Sequence, residues 1–335
     1  MNSRERIKTI FAGEQPDRCG FWLGMPHDET WPKYLQYFGT DDQEQVRRML
    51  GDDLRWHYAD AAAYNHPEGK KPFDLVRVGI SEGSTHKLAD CEDPDEIENY
   101  DWPSPDYYDF ASVVQSLRNA GDVYRASGMW SCFYHIVADL FGMENYFIKM
   151  HTDPAVVDAV TDRVCGFYYE ANERFYELAG AEMDAFFFGN DLGTQLDLMV
   201  GPELLERFVM PWTRKLIDQG HAHGYKVVHH CCGAVCKMIP RFIEAGVDAL
   251  HPLQAMARNM DADTLAAKFK GKIAFVGGID TQHLLVHGTP EEVKADVRRV
   301  KALLGPNLVV SPSHEALLPN VSPENVVAMA EAARE

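Results

Sequence analysis

The spacing of apolar residues predicts an alternation of strands and helices along most of the chain. Eight short runs are apolar and contain many β-branched or aromatic residues, as is typical of buried strands. They cover residues 19–23, 54–58, 122–125, 185–188, 226–229, 247–250, 273–276 and 308–310. From about residue 120 onward helical stretches separate these runs, and apolar strands between helices favour a parallel sheet covered on both faces.

Four of the helical stretches have a recognisable beginning. Proline stands at the expected first helical position in Asp153-Pro154, Gly201-Pro202, Thr289-Pro290 and Ser322-Pro323. Thr289 and Glu292 also have the spacing of a capping box. About eight strand–helix units predict a single (β/α)₈ TIM barrel that spans residues 1–335. An open doubly wound sheet is the alternative, because periodicity does not detect closure.

Residues 60–120 interrupt this pattern. They contain many proline, glycine and acidic residues, and residues 75–80 alternate like a hairpin strand. We therefore predict an insertion between the second and third strands of the barrel.

Charge and composition narrow the classes of partner. The formal net charge is -19, and lysine and arginine are scattered, which argues against a nucleic-acid partner or an anionic membrane surface. No apolar run reaches the roughly 20 residues that a membrane span requires. The polar N-terminus does not resemble a signal peptide. Of the 7 cysteines, three stand at 231, 232 and 236, which is not a disulfide framework. We expect a cytoplasmic protein with reduced thiols.

Five consecutive predicted strands end in side chains that can bind a metal or transfer protons. The segments are Asn190-Asp191 with Gln195, His229-His230-Cys231-Cys232, His251 with Gln254, Asp280, and Ser313-His314-Glu315. In a parallel barrel the carboxyl ends of the strands meet at one mouth, where the active sites of such enzymes lie. The convergence of these groups predicts a reactive site at that mouth.

The pair His230 and Cys232 is the strongest candidate for metal binding. Side chains two residues apart on a strand point to the same face, and imidazole and thiolate are ligands that zinc prefers. We predict His314, after the last strand, as the third ligand. Two histidines, one cysteine and an open fourth position are typical of catalytic zinc. The alternative is that His230 and Cys232 are ordinary core residues. His229 and Cys231 should face the helical layer.

Two aspartates are candidates for catalysis. Asp191 could act as a general base, orient a ligating histidine or anchor the substrate. Asp280 has a similar position after Gly277-Gly278. The alternative for both is a role in forming the turn.

Five further residues are predicted to bind substrate. Asn190, Gln195 and His251 follow strands of the barrel, where they can donate or accept hydrogen bonds. Trp22 and His27 lie in an aromatic-rich stretch near the first strand that could line a flat pocket. The alternative for the aromatic residues is the core. Cys236 is expected to be a packing thiol.

The chain resembles the uroporphyrinogen decarboxylase superfamily, which includes corrinoid-dependent methyltransferases. The motifs that resemble the family are Gly128-Met-Trp-Ser131, Asn190-Asp-Leu-Gly-Thr-Gln195, His230-Cys-Cys-Gly233, Ala245-Gly-Val-Asp248, Gly277-Gly-Ile-Asp280 and Ser322-Pro-Glu-Asn325. The N-terminal Ser3-Arg-Glu-Arg6 and Phe11-Ala-Gly-Glu-Gln-Pro16 are also similar. The resemblance implies a (β/α)₈ barrel, in agreement with the strand count.

The first strand departs from the decarboxylase pattern. True uroporphyrinogen decarboxylases carry there an arginine-rich stretch that grips the substrate carboxylates, whereas residues 20–27 of this chain contain no arginine. The resemblance to the methyltransferase branch lies in His230 and Cys232. In that branch a second cysteine, in the loop after the last strand, completes the zinc site. In this chain His314 stands in that loop instead. Imidazole in place of thiolate leaves zinc more Lewis acidic, which favours an oxygen or nitrogen substrate over a thiol.

We therefore predict a zinc-dependent methyltransferase that exchanges a methyl group between a corrinoid and a small O-, N- or S-methyl substrate. The corrinoid would be free or carried by a separate corrinoid protein, and a homodimer stays open. The alternatives are a carboxy-lyase of the decarboxylase type with a different substrate, another zinc enzyme such as a hydrolase or aldol-type lyase, and a non-enzymatic corrinoid-binding protein.

Overall fold

The structure is a computed structural model that describes residues 1–59, 63–74 and 86–335. In this part of the chain eight parallel strands form one sheet, in the order β1-β8-β7-β6-β5-β4-β3-β2. The strands are β1 (Gly20–Phe21), β2 (Leu54–Trp56), β3 (Tyr124–Ser127), β4 (Ala185–Gly189), β5 (Lys226–His230), β6 (Ala249–His251), β7 (Ala274–Ile279) and β8 (Leu308–Pro312).

Helices surround the strands and connect them. They are α1 (Ser3–Phe11), α2 (Trp31–Phe38), α3 (Gln43–Leu50), α4 (Phe110–Asn119), α5 (Phe133–Phe141), α6 (Met143–Thr152), α7 (Pro154–Ala179), α8 (Pro202–Phe208), α9 (Met210–Ala222), α10 (Ile239–Glu244), α11 (Ala262–Phe269), α12 (Leu284–His287), α13 (Pro290–Leu304) and α14 (Pro323–Arg334). The four predicted helix starts are those of α7, α8, α13 and α14, and Thr289 with Glu292 forms the predicted capping box.

Asp53 joins the two ends of the sheet, β1 and β2. Its backbone N–H donates to the carbonyl of Phe21 (2.8 Å), and its carboxylate accepts the N–H of Phe21 (3.0 Å). The same carboxylate is buried between the guanidinium groups of Arg6 and Arg18. The sheet is therefore a nearly closed barrel. The predicted TIM barrel is confirmed, and the alternative of an open doubly wound sheet is wrong.

The inside of the barrel is a separate apolar core. Its buried residues on the strands, or directly after β1 in the case of Trp22, include Trp22, Leu54, Trp56, Tyr124, Ala126, Ala185, Phe187, Val228, Ala249, Ala274, Val276 and Val309. Three side chains of α1, those of Ile7, Ile10 and Phe11, belong to the same cluster. Helix α1 thus fills the amino-terminal end of the barrel, and the carboxyl-terminal end is left for the chemistry.

The predicted strand positions are confirmed, with shifts of a few residues at their ends. Strand β3 begins at Tyr124, two residues later than predicted, because Gly121 has a positive φ (+74°) and forms a turn that continues through Asp122. Strands β5, β7 and β8 extend beyond the predicted ends, into the residues that form the site.

The region of the predicted insertion is described in part. It contains three short 3₁₀ turns, Pro72–Asp74, Pro94–Asn99 and Pro105–Tyr107, and then α4. The hairpin strand predicted over 75–80 lies outside the described residues, so the insertion stays a prediction. Within the described ranges, no helix is long and apolar enough to cross a bilayer.

Candidate metal centre

The register of β4, β5 and β6 places two histidines side by side at the carboxyl end of the barrel. His230 pairs with Gly189 on β4 and with His251 on β6. A Cβ atom at Gly189 would lie 2.0 Å from the carbonyl oxygen of His230, so only glycine permits this close approach. Both imidazoles are buried, with 2% exposure for His230 and 0% for His251.

One nitrogen of His230 faces a thiol and a carboxylate. Its Nε2 lies 3.2 Å from Sγ of Cys232 and 3.1 Å from Oδ1 of Asp191. Asp191 also accepts the backbone N–H of Cys232 (2.9 Å), and Nε2 of His135 on α5 accepts the N–H of Asp191 (3.0 Å). The first bond holds the loops after β4 and β5 against each other, and the second ties the loop after β4 to α5. The three side chains thus converge on one point from two strands and their loops.

The other nitrogen of His230 faces a second group. Its Nδ1 lies 3.0 Å from Nδ1 of His251 and 3.7 Å from Oε2 of Glu315. The same carboxylate oxygen lies 3.9 Å from Nε2 of His251 and 3.6 Å from Nδ1 of His314. The ring centroid of His314 is 6.3 Å from that of His230, and its Nδ1 accepts the N–H of Ala316.

Two sets of potential metal ligands result. In the described part of the chain the sets are Asp191, His230 and Cys232, and His230, His251 and Glu315, each with ligand atoms within 4.8 Å of one another. Sulfur, imidazole nitrogen and carboxylate oxygen are all zinc ligands. The predicted pair His230 and Cys232 therefore lies together, with Asp191 beside it. His314 belongs to neither set and lies next to Glu315, so its role as the third ligand stays a prediction.

The protonation of the cluster follows from burial and neighbouring charges. Burial alone would raise the pKa of Asp191, but the hydrogen bond and charge of His230 outweigh it and hold this pKa well below its ordinary value. Burial would lower the pKa of His230, but Cys232, Glu315 and Asp191 together raise it well above its ordinary value. Burial raises the pKa of the Cys232 thiol to about 11. Without metal, His230 and Cys232 therefore hold protons at neutral pH, which a metal ion must displace.

His229 and Cys231 face away from the cluster, as the alternation of the strand predicts. The ring of His229 packs against Phe188 (5.0 Å between centroids) and Phe242 of α10 (4.7 Å). Cys231 is fully buried in the layer between the barrel and its helices. Both nitrogens of His229 lack hydrogen-bond partners within the described residues. Burial, the main cause, lowers the pKa of His229 to about 3.

We expect His229 to make the stability of the protein fall in weak acid. Below its ordinary pKa of 6.5 the unfolded chain binds a proton at His229, whereas the folded chain does not until about pH 3, so the unfolded state gains as the pH falls between these values. From pH 7 to pH 5 this residue alone should cost about 2 kcal/mol. Urea unfolding of wild type and of His229→Leu at pH 7 and pH 5 measures this loss of unfolding free energy. If His229→Leu loses as much stability as wild type between pH 7 and pH 5, His229 is not the cause of the pH dependence.

Two predicted site residues have a clear role in the backbone structure. The carboxylate of Asp280 accepts the N–H groups of Gln282, His283 and Leu284 (2.9–3.0 Å), so it caps the short helix α12, although it also lines a pocket at the mouth. The amide oxygen of Asn190 accepts the N–H of Tyr134 (2.8 Å), the second residue of α5. The turn-forming alternative for Asp280 thus has direct support in these hydrogen bonds.

A pocket of about 410 Å³ lies beside the cluster, on the side of His314. It is lined by Gln254, Met256, Asp280, Thr281, Gln282, Ser313, His314, Ala316, Leu318, Asn320 and Val321. Gln195 is exposed and donates from Nε2 to Oε1 of Gln254 (3.2 Å), which also accepts the N–H of Gly233. The volume of this pocket and its amide-rich lining suit a small polar ligand. Gln195 thus reaches the pocket through Gln254.

Trp22 and His27, the two predicted substrate-binding residues near the first strand, lie apart from each other. Trp22 is fully buried inside the barrel, where its ring contacts His251 (5.2 Å between centroids) and Phe187 (5.8 Å). His27 is exposed, and its Nδ1 accepts the N–H of Glu29 in the turn before α2. The first strand therefore contributes Trp22 as a support beneath the site.

Three residues that the structure places at the cluster had no individual role in the sequence analysis, which named Glu315 only as one of the groups at the end of the last strand. Glu315 follows the predicted ligand His314 directly, so its position at a strand end was the available indication. His135 on α5 and Trp130, whose ring lies 5.3 Å from that of His230, come from the loop and helix after β3. No metal-ligand spacing marks either of them, because they reach the site only through the closure of the barrel.

Comparison with known proteins gives a family match and two relatives. Residues 78–335 match the family described as uroporphyrinogen decarboxylase (URO-D). The methylcobamide:CoM methyltransferase MtbA of Methanosarcina mazei is 24% identical over 223 residues, which cover 64% of this chain and 60% of that protein. The chain thus spans less than two thirds of the length of this relative. A solved methyltransferase from Methanosarcina mazei has a TM-score of 0.72 at 14% identity, over 99% of this chain and 98% of the other, and shares the fold.

Proposed function

The chain belongs to the uroporphyrinogen decarboxylase family, and within that family we propose a zinc-dependent methyltransferase that exchanges a methyl group between a corrinoid and a small O-, N- or S-methyl substrate. The observation that carries this proposal is the convergence of His230, Cys232 and Asp191 at the mouth of the barrel. The similarity to a methylcobamide:CoM methyltransferase supports the choice of reaction and of a corrinoid as co-substrate.

The donor atoms of this set fit zinc. Ligands bound at about 2.0–2.3 Å in a tetrahedron lie roughly 3.2–3.7 Å apart. Nε2 of His230 lies 3.2 Å from Sγ of Cys232, at the short end of this range, and 3.1 Å from Oδ1 of Asp191, just below it. His230 Nε2, Cys232 Sγ and an oxygen of Asp191 would hold the ion. When bound, zinc would act as a Lewis acid that stabilises charge on the heteroatom losing or gaining the methyl group.

The residues of the chain would hold the substrate and exclude water. Gln254 ties the loops after β4 and β5 to that after β6, through its contacts with Gln195 and Gly233. The pocket beside His314 would bind the body of the substrate, with Gln282 and Asn320 as hydrogen-bonding groups in its lining. The ring of Trp130 packs at about a right angle against that of His230, with 5.3 Å between the ring centroids. Besides holding the ion through one oxygen, Asp191 would accept a proton from an incoming acceptor through its other oxygen.

Decarboxylation of uroporphyrinogen is the less favoured function. A substrate with eight carboxylates needs cationic side chains. The pocket lining contains no lysine or arginine, and the region after β1 contains no arginine either. Loss of uroporphyrinogen, followed by porphyrin fluorescence, is the matching assay, and we expect no turnover.

Removal of the metal tests the proposed function. We expect purified protein to contain zinc by elemental analysis, and to transfer methyl groups between cobalamin and candidate methyl ethers, amines or thioethers, which the cobalamin absorption spectrum follows. A chelator should abolish this transfer, and added Zn²⁺ should restore it. Full activity in metal-free protein, or in His230→Ala, would contradict the proposal.

A further inference from the structure

The two ring nitrogens of His230 have different neighbours. Its Nε2 faces Cys232 and Asp191, and its Nδ1 lies 3.0 Å from Nδ1 of His251. Both imidazoles are buried, with 2% exposure for His230 and 0% for His251. A histidine that binds a metal through one nitrogen commonly donates the N–H of the other to a neighbouring group, which fixes the orientation of the ring. His251 is the neighbour that the geometry offers to His230.

The zinc proposed above determines which nitrogen of each ring carries a proton. With an ion on its Nε2, His230 keeps a proton on Nδ1 alone. The two Nδ1 atoms, 3.0 Å apart, share one proton in a hydrogen bond, so Nδ1 of His251 accepts and the N–H of that ring is on its Nε2. Burial, the main cause, lowers the pKa of His251 well below its ordinary value, so the ring is neutral and has the lone pair that this bond requires.

The carboxylate of Glu315 lies beside the two imidazoles. Its Oε2 is 3.7 Å from Nδ1 of His230 and 3.9 Å from Nε2 of His251, both beyond hydrogen-bond length. That Oε2 and that Nε2 are buried and lack hydrogen-bond partners among the described residues. Nδ1 of His314, 3.6 Å from the same oxygen, accepts the N–H of Ala316 and therefore has no proton to donate. The negative charge of Glu315 thus acts through space on the two buried rings.

The surrounding structure holds both groups in place. The register of β5 and β6 sets the backbone of His251, and its ring contacts those of Trp22 and Phe187, each with 5.2 Å between centroids. The carbonyl of Glu315 accepts the N–H of Met25 (2.7 Å), which ties the loop after β8 to the loop after β1. Side chains fixed in this way can orient a metal ligand precisely.

We propose that His251 and Glu315 are positioning residues for the zinc ligand His230. His251 accepts the Nδ1–H of His230 and so directs Nε2 towards the ion. The negative charge of Glu315 favours the positive charge that the imidazole of His230 gains when it binds a cation. Neither residue is a ligand in this arrangement. The proposal rests on the proposed function for the metal, and it adds how the histidine of the site is held.

Zinc affinity, measured by competition with a chromophoric chelator, tests the role of His251. His251→Leu removes the acceptor, and we expect it to bind zinc about 10- to 100-fold more weakly than wild type. His251→Asn places an oxygen near the position of Nδ1, so it should bind zinc more tightly than His251→Leu. His229→Leu is the same change at a histidine that packs against the helical layer. It is the matched control and should keep the affinity of wild type.

A second variant and a spectroscopic signature separate positioning from folding. Glu315→Gln keeps the size of the side chain and removes its charge, so it should also weaken zinc binding. In zinc-loaded protein with ¹⁵N-labelled histidine, the Nδ1–H of His230 should give a slowly exchanging resonance, because the bond to His251 protects it. Glu315→Gln should keep this resonance. If His251→Leu does not fold, the affinity of Glu315→Gln and the resonance in wild type decide the question.

The outcomes distinguish this proposal from the proposed function. Equal zinc affinity in wild type, His251→Leu and Glu315→Gln would overturn the positioning role and leave the proposed function intact. Equal weakening in His251→Asn and His251→Leu would also overturn it, because packing rather than the acceptor would then be responsible. Loss of metal in His251→Leu as complete as in His230→Ala would make His251 a ligand itself. Wild-type protein that binds no zinc would overturn both proposals.

Discussion

Replacement of Cys232 by serine should remove one equivalent of bound metal and lower the rate of methyl transfer at least about 100-fold. The reason is that Sγ of Cys232 and Nε2 of His230 face the same point, 3.2 Å apart. A serine hydroxyl is a poor zinc ligand at neutral pH, so the remaining His230 and Asp191 hold the ion weakly. Elemental analysis and the cobalamin-based transfer assay measure the two effects.

The neighbouring cysteine provides a control for this experiment. Cys231 is fully buried, like the ligand, but its side chain points into the layer between the barrel and its helices. Cys231→Ser should therefore keep its bound metal, although the buried hydroxyl reduces stability somewhat. If Cys231→Ser loses the metal while Cys232→Ser keeps it, the orientation of the strand end is wrong.

Replacement of Trp22 by alanine should destabilise the protein by about 3–5 kcal/mol. The side chain is fully buried inside the barrel and contacts the rings of Trp56, Phe187 and His251. Its removal leaves a cavity that a closed sheet cannot collapse to fill. Urea unfolding measures the free energy change, and the metal content reports whether His230, which contacts His251, keeps its position.

An exposed aromatic residue is the matched control. Tyr37 on α2 is 47% exposed, and Tyr37→Ala should change the unfolding free energy by about 0.5 kcal/mol or less. The sequence alone favoured a substrate-binding role for Trp22. If Trp22→Ala unfolds like wild type but binds substrate more weakly, that role is correct and the core role derived from the structure is wrong.

The architecture could be predicted because each strand–helix unit carries its own marks. Apolar runs of strand length, prolines at helix starts and a capping box are local features, and eight such units suit a barrel. Closure itself is not local. It depends on Asp53, which lies more than thirty residues from Phe21 and Arg18 in the chain and links them across the seam.

The site shows the same division between features that are local in the sequence and features that depend on the closed sheet. Alternation along one strand was enough to place His230 and Cys232 on one face and His229 and Cys231 on the other, because that pattern depends only on neighbouring residues. The arrangement across strands was not available from the sequence. Glu315 at the centre of three imidazoles follows from strand register, which the spacing of residues does not encode.

The sequence by itself therefore determined the fold class, the mouth of the barrel as the place of the chemistry, and the pair His230 and Cys232. The tertiary structure decided which other groups reach that pair. It brought Asp191 to one nitrogen of His230 and placed His251 and Glu315 beside the other. The physical reason is range: side-chain alternation is fixed within a strand, whereas contacts between strand ends depend on register and closure of the whole sheet.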